Sequence, residues 1–404
     1  MSLAQGRQLL AIPGPSVVPD RVLRAMHRAA PNIYAGPLVE AMPALLDDLR
    51  AVARTRHHVA IYICNGHGAW EAANVNLFRR GDRALALVTG RFGEGWAASV
   101  TALGVEVETL DFGRRGAVDP GRVEHALRAD PDRRIRVVLL THVDTSTSVL
   151  NDIAAVRAAI DAVGHPALLA VDCIASMGCD RFEMDAWGVD VAVAASQKGL
   201  MVPPGLGFVW ISERAATVCA ADSDLRTPYW DWRPRIAADE FWMHFAGTAP
   251  THHLFGLREA LAMLVREEGL EHAWARHRAL AGAVWAAFDA WGQDAGAGTI
   301  ELNIGDPQAR SRAVTAARIA APYATQLRAW CETEAGVTLG IGLGMAPPGD
   351  PAWHGFLRLG HMGHVNAHMV LGTLAVMEAG MRALGIPHGA GGTAAAAAAL
   401  AAAG

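Results

Sequence analysis

Five short apolar runs, each closed by polar or glycine residues, constrain this chain more than any other feature. They are "RALALVTG" (83–90), "VEVETLDF" (105–112), "IRVVLLTHV" (135–143), "ALLAVDCIAS" (167–176) and "DVAVAAS" (190–196). Runs of this length suit strands, and several lack the alternation that a sheet with one solvated face requires. Between them "GWAASVTALG" (95–104) and "IAAVRAAIDAVG" (153–164) carry helical spacing. Strands that alternate with such helices form right-handed crossovers, so the chain reads as α/β, with a parallel sheet covered on both faces. "GLGFVWIS", after a Pro-Pro-Gly turn, is one more strand.

The 404 residues leave room for a second, smaller core. Residues 1–18 include "AIPGPSVVP", too rich in proline and glycine for a helix, and read as an extended arm. A large domain spans 19–268. From 269 a long helical pattern and mixed segments to 388 read as a smaller α+β domain. The Ala-rich 389–404 is low-complexity, a frayed helix or disordered, and carries no assigned function.

Composition narrows the function classes. Apolar residues make up 52% and charged residues 19%, as in a well-packed globular protein, and the net charge is −5 without a basic tract. Nucleic acid and anionic membrane are therefore poor partners. No apolar run reaches the roughly 18–20 residues of a membrane span, and the first residues lack a signal-peptide pattern. Five cysteines without a CxxC spacing read as reduced thiols of a cytoplasmic protein. "GHMGHVNAH" (360–368) matches no zinc spacing, so no metal is expected.

The 35 basic residues include one lysine, Lys198, in "AASQKGLMVPPG"; all the others are arginine. Lysine, unlike arginine, sheds its proton near neutral pH and forms Schiff bases with carbonyls. In parallel sheets, ligands bind beyond the carboxyl ends of the strands, so the loops there should complete a carbonyl–amine site. Asp172 ends an apolar strand; it suits the protonated ring nitrogen of a pyridine cofactor, or else caps a helix. "ICNGHGAWEAANVN" (63–76) joins a strand end to a glycine turn and a helix start, where Asn65, Gly66, His67 and Gly68 offer a phosphate site. Phe92 in "VTGRFGEGW" could stack on a planar ring or belong to the core. Thr145 in "THVDTSTSV" offers a hydroxyl to a phenolic oxygen. Arg358 in "GFLRLGHMG" offers a bidentate grip on a carboxylate.

Together these pieces resemble class V, fold-type I pyridoxal-phosphate aminotransferases, above all the serine–glyoxylate and alanine–glyoxylate family. The resemblance runs from "PGPSVVPDRVLRAM" to "RLGHMG…GIPHG", and "MDAWGVDVAVAASQKGLMVPPGLGFV" and "THVDTSTSV…AVDCIASMG" carry it most specifically. It implies a mostly parallel seven-stranded sheet in the large domain and pyridoxal 5'-phosphate as cofactor. Lys198 and Asp172 would be catalytic. Ile174 and Phe92 would flank the ring, Gly66, His67 and Gln197 would hold the phosphate, and Thr145 would meet the phenolic oxygen. Thr248 of "FAGTAPTHH" would reach over from the second subunit of a homodimer. Arg358 would bind the substrate carboxylate, with the Gly14–Pro15 arm closing that side. The substrates implied are a small amino acid, alanine or serine, and a 2-oxo acid, glyoxylate or pyruvate. Rivals are other donors (aspartate, 2-aminoethylphosphonate, pyridoxamine), a lyase such as a cysteine desulfurase, and a cofactor-binding regulator. Two positions depart from the pattern: Phe245 stands where a phosphate-binding tyrosine is expected, and Asn65 replaces a serine.

Overall fold

The computed structural model describes residues 2–293 and 300–403. Met1 of the expected arm, 294–299 of the expected small domain and Gly404 of the tail lie outside the described residues. All five apolar runs contain strands: Arg83–Val88, Glu106–Asp111, Ile135–Thr141, Leu168–Asp172 and Val191–Ala195. With His58–Cys64 and Gly205–Ile211 they make a seven-stranded sheet. Its spatial order is His58–Cys64, Gly205–Ile211, Val191–Ala195, Leu168–Asp172, Ile135–Thr141, Arg83–Val88, Glu106–Asp111.

The pairs from Val191–Ala195 to Glu106–Asp111 are parallel, whereas Gly205–Ile211 runs antiparallel to both neighbours. The link from Ala195 to Gly205 is too short for a crossover, so the chain must turn straight back. Alternate strand residues feed two cores: Leu85, Val138, Leu140, Leu169 and Val171 on one face, Ala84, Ala86, Val137, Leu139 and Ala170 on the other. Glu106–Asp111, at one edge, alternates with charge and is largely exposed, whereas His58–Cys64 at the other edge is mostly buried.

A second sheet of five strands has the order Leu9–Ala11, Val337–Ile341, Phe356–Gly360, Val314–Ile319, Ile300–Leu302. The extended arm therefore contains a strand: Leu9–Ala11 pairs parallel with Val337–Ile341 before the chain crosses to the larger sheet, where the Ser16 N–H donates to the Gln197 carbonyl at 2.9 Å.

Within the Ala-rich tail the described residues include a packed helix. Gly392–Ala401 is a helix with Ala396 buried, and Gly392 lies flat on the Trp291 ring, where no Cβ would fit. Thr393 donates its N–H and hydroxyl to Glu378 Oε2 at 3.0 and 2.7 Å, and Trp291 Nε1 donates to the same oxygen at 3.4 Å. Alanine loses almost no side-chain entropy on entering a helix, so even a monotonous run folds once it has a surface to pack on. Among the described residues, no helix is long and apolar enough to cross a membrane.

Candidate active site

The carboxyl ends of His58–Cys64, Ile135–Thr141, Leu168–Asp172 and Val191–Ala195 meet at one sheet edge, as their registers show: Cys64 faces Gly205, Ala195 faces Gly207, Asp172 faces both Thr141 and Val193. Beyond that edge lies a cavity of about 140 Å³. Asn65, Gly66, His67, Trp70, Phe92, Val143, Thr145, Asp172, Ile174, Ala175, Gln197 and Lys198 line it. The residues expected to meet the phosphate, the ring, its nitrogen and its phenolic oxygen, and the lysine itself, are thus brought together from five separate segments.

Lys198 leaves the buried strand Val191–Ala195 on a turn that the N-terminal arm clasps. Its Nζ donates to the Pro13 carbonyl, and Ser16 Oγ donates to the Lys198 carbonyl at 2.7 Å. Gly14 lies against the ammonium with φ near 100°, a conformation open to glycine, and a Cβ there would strike Nζ. Pro15 is exposed; the contacts with Lys198 come from Pro13, Gly14 and Ser16. Desolvation, aided by the Arg358 charge and opposed by Asp172, lowers the amine to about 8.

Asp172 is buried, and each carboxylate oxygen already has a donor. Oδ1 accepts the Ile174 N–H at 2.7 Å, and Oδ2 accepts Trp70 Nε1 at 3.0 Å. Burial pushes the carboxyl up to about 7, against the pull of these two bonds and of Lys198. Buried opposite charges in one cavity are what a site for proton transfer requires.

The glycine turn opens helix Gly66–Leu77, whose cap is Asn65: its Oδ1 accepts the N–H groups of His67 and Gly68 at 3.1 and 3.3 Å. A phosphate at this turn would share those two donors with the Asn65 side chain, a competition the sequence reading did not include. Phe92 begins helix Arg91–Ala102, and Asp144 seats it. Asp144 Oδ2 accepts the N–H groups of Phe92 and Gly93 at 2.9 and 3.1 Å, while Oδ1 holds Ser146 N and Oγ at 3.0 and 2.5 Å.

Gly14, Pro15, Gly68, Thr248, Phe245 and Arg358 do not line the cavity. Arg358 is buried in the second sheet and donates from Nε to the Ile341 carbonyl at 2.7 Å and from Nη1 to the Thr145 carbonyl at 2.9 Å, which places it behind the Thr145 loop. Thr248 is exposed, ahead of helix Thr251–Leu261. Phe245, expected in place of a phosphate-binding tyrosine, is a core residue with its ring 5.3 Å from that of Phe241. His361 of the histidine-rich stretch is buried, bonded to Thr315 Oγ1 and the Arg312 carbonyl at 2.9 Å each.

Trp70, Asp144, Pro13 and Ser16 were missed by the sequence reading. Trp70 follows Gly66 by four residues and so shares its helix face, a spacing that was available; the others act through backbone contacts that no spacing reveals.

These residues fit pyridoxal phosphate. The amine, the carboxylate and the helix N-terminus open onto one cavity walled by Phe92 and Ile174. A Cβ on Gly66 would reach Ile174 Cδ1 at 2.6 Å, and Gln197 Oε1 is buried without a hydrogen-bond partner among the described residues.

The family model described as "Aminotransferase class-V" matches residues 12–317. The serine–glyoxylate aminotransferase of Methylorubrum extorquens is 36% identical over 92% of this chain and 90% of its own. The L-aspartate–glyoxylate aminotransferase of Paracoccus denitrificans is 35% identical over 93% and 91%. Among solved structures, the pyridoxamine–pyruvate aminotransferase of Mesorhizobium loti superposes with a TM-score of 0.88 at 25% identity, covering 100% of both chains.

Proposed function

The chain belongs to the pyridoxal-phosphate-dependent class-V aminotransferases, and from that premise we propose that it moves the amino group of alanine or serine to glyoxylate, with pyruvate as the alternative acceptor. The observation that carries this reading is the placement of the chain's single lysine and the buried Asp172 in one cavity.

Pyridoxal phosphate, when bound, supplies an aldehyde that condenses with amines and a protonated ring that takes up the electron pair left by a broken Cα–H bond. Lys198 would hold that aldehyde through Nζ. Its Nζ then takes the proton from the substrate's α-carbon and, in the return direction, delivers a proton to the α-carbon of the acceptor. An amine lowered to about 8 is neutral often enough near neutral pH to serve as that base. Asp172 would accept the ring N–H, its negative charge keeping that proton in place. Phe92 and Ile174 would flank the ring, and Thr145 would meet the phenolic oxygen. Gly66, His67 and Gln197 would hold the phosphate, joined by Thr248 of a second subunit. Arg358 has two donors fixed on backbone carbonyls, and its remaining guanidinium N–H groups would serve the substrate carboxylate, with the Gly14–Pro15 arm keeping water from that side. The protein works as a cytoplasmic homodimer.

A second reading keeps the chemistry and changes the donor, to aspartate or to pyridoxamine. The likeness to the L-aspartate–glyoxylate and pyridoxamine–pyruvate aminotransferases supports it. A desulfurase is disfavoured: Cys173 is buried with its thiol well above the ordinary range, and burial pushes Cys64, Cys179 and Cys331 up to about 12.

The absorbance of the purified protein tests this. A yellow band that fades with L-alanine or L-serine and returns with glyoxylate is the expected result. A band discharged by aspartate or pyridoxamine alone moves the donor to the second reading. No band after added pyridoxal phosphate overturns the role of Lys198.

A further inference from the structure

We propose that Trp70 is the positioning residue for Asp172: its indole N–H pins one carboxylate oxygen and so fixes where the acceptor for the cofactor's ring nitrogen stands relative to the glycine turn. This rests on the reading above, in which Asp172 pairs with that nitrogen.

Trp70 and Asp172 are both buried, and the Nε1–Oδ2 bond of 3.0 Å is the indole's hydrogen bond. A buried indole N–H is ordinarily content with any carbonyl; here it is aimed at the carboxylate of another element. The Ile174 N–H takes the other oxygen at 2.7 Å, so the carboxylate is held from both sides and cannot rotate without breaking a bond. Each oxygen keeps a lone pair for a further donor.

The indole itself is braced. It stacks on Trp96 with centroids 6.1 Å apart and planes 9° from parallel, and Trp96 Nε1 is tied to Asn74 Oδ1 at 2.8 Å. It meets Phe92 and His67 edge-on at 6.5 and 4.8 Å. Because Trp70 stands one turn into the helix that begins at Gly66, one rigid element presents the turn at one end of the cavity and sets the carboxylate at the other. A donor on the carboxylate also favours its ionised form, which a protonated ring needs as its partner.

The test compares pyridoxal phosphate with its carbocyclic analogue, in which a ring C–H replaces the nitrogen. Dissociation constants are measured by titrating the full-length protein freed of cofactor. Wild type should prefer the true cofactor by about tenfold or more. Trp70→Phe should lower that preference by about tenfold while its affinity for the analogue stays within about threefold of wild type. As pH falls, the remaining preference should fade at a higher pH than in wild type. Trp96→Phe, which removes the brace and keeps the N–H, should weaken both compounds alike. If Trp70→Phe fails to fold, β-(3-benzothienyl)alanine at position 70 removes the N–H and keeps the shape, with the same expectation. A variant lacking the N–H at position 70 that retains the wild-type preference, or loses both compounds equally, overturns the proposal. Wild type without any preference overturns the pairing of Asp172 with the ring nitrogen, and this proposal with it; a preference in wild type that survives loss of the N–H overturns this proposal alone.

Discussion

Burial moves the protons of Lys198 and Asp172 in opposite directions, the amine down to about 8 and the carboxyl up to about 7. The shift in the amine is measurable because Lys198 is the chain's single lysine, so an acylation mapped by mass to its peptide reports one side chain. In the cofactor-free protein the labelling rate should rise with pH to a midpoint near 8; a midpoint near the ordinary lysine value would mean that Nζ is solvated. The same shift bears on stability. Between about 8 and 10.5 the unfolded chain holds a proton on this lysine that the folded chain has released, so this group makes the fold more stable as pH rises through that window. Lys198→Arg keeps the charge but cannot release the proton, and should retain the fold while abolishing transamination in coupled assays. The two residues were legible in the sequence because their types are unusual where they stand. For Trp70 the sequence offered only its place on the helix face of Gly66; its partner is seen once the fold brings its N–H onto a carboxylate at the end of the strand Leu168–Asp172.

At the scale of elements, the hydrophobic pattern revealed which segments are strands, but direction and partnership depend on connections. Gly205–Ile211 runs antiparallel because of a short turn, and Leu9–Ala11, with three residues, is too brief to register as a pattern. The hinge between elements that matters most for the cavity is Asp144, whose two oxygens hold four donors at the start of helix Arg91–Ala102. Asp144→Ala leaves buried N–H groups of Phe92, Gly93 and Ser146 without partners, each worth about 1–3 kcal/mol when orphaned. Partial relaxation should hold the total to about 2–4 kcal/mol, read as a lower urea midpoint of the cofactor-free protein. Asp144→Asn keeps one acceptor oxygen and should lose less. If Asp144→Ala unfolds at the wild-type midpoint, the cap does not seat Phe92.

At the scale of the whole molecule, the chain exposes large apolar side chains that its own fold does not cover: Tyr34 is 86% exposed, Trp242 53% and Ile63 42%. Thr248 likewise has no place in the cavity of its own chain. Both observations support the dimer proposed above, in which Thr248 would serve the partner's site; the resemblance in the sequence already implied that role for Thr248, whereas the exposure of Tyr34, Trp242 and Ile63 follows from the fold. The proposal is decided by mixing two defective chains. Lys198→Ala removes the amine from its own site and leaves its Thr248 intact. Thr248→Glu puts a carboxylate where a phosphate is to be held and leaves its own Lys198 intact. Each homodimer should be nearly inactive. After dissociation and reassembly of an equimolar mixture, half of the dimers pair one chain of each kind, as random assortment in a two-fold dimer requires. In such a dimer the Thr248→Glu chain keeps its lysine and receives an intact Thr248 from its neighbour, so one of its two sites is whole. The mixture should therefore regain about a quarter of wild-type activity. Were Thr248 to serve its own chain, both sites of the mixed dimer would stay defective, and the mixture would remain as inactive as its parents.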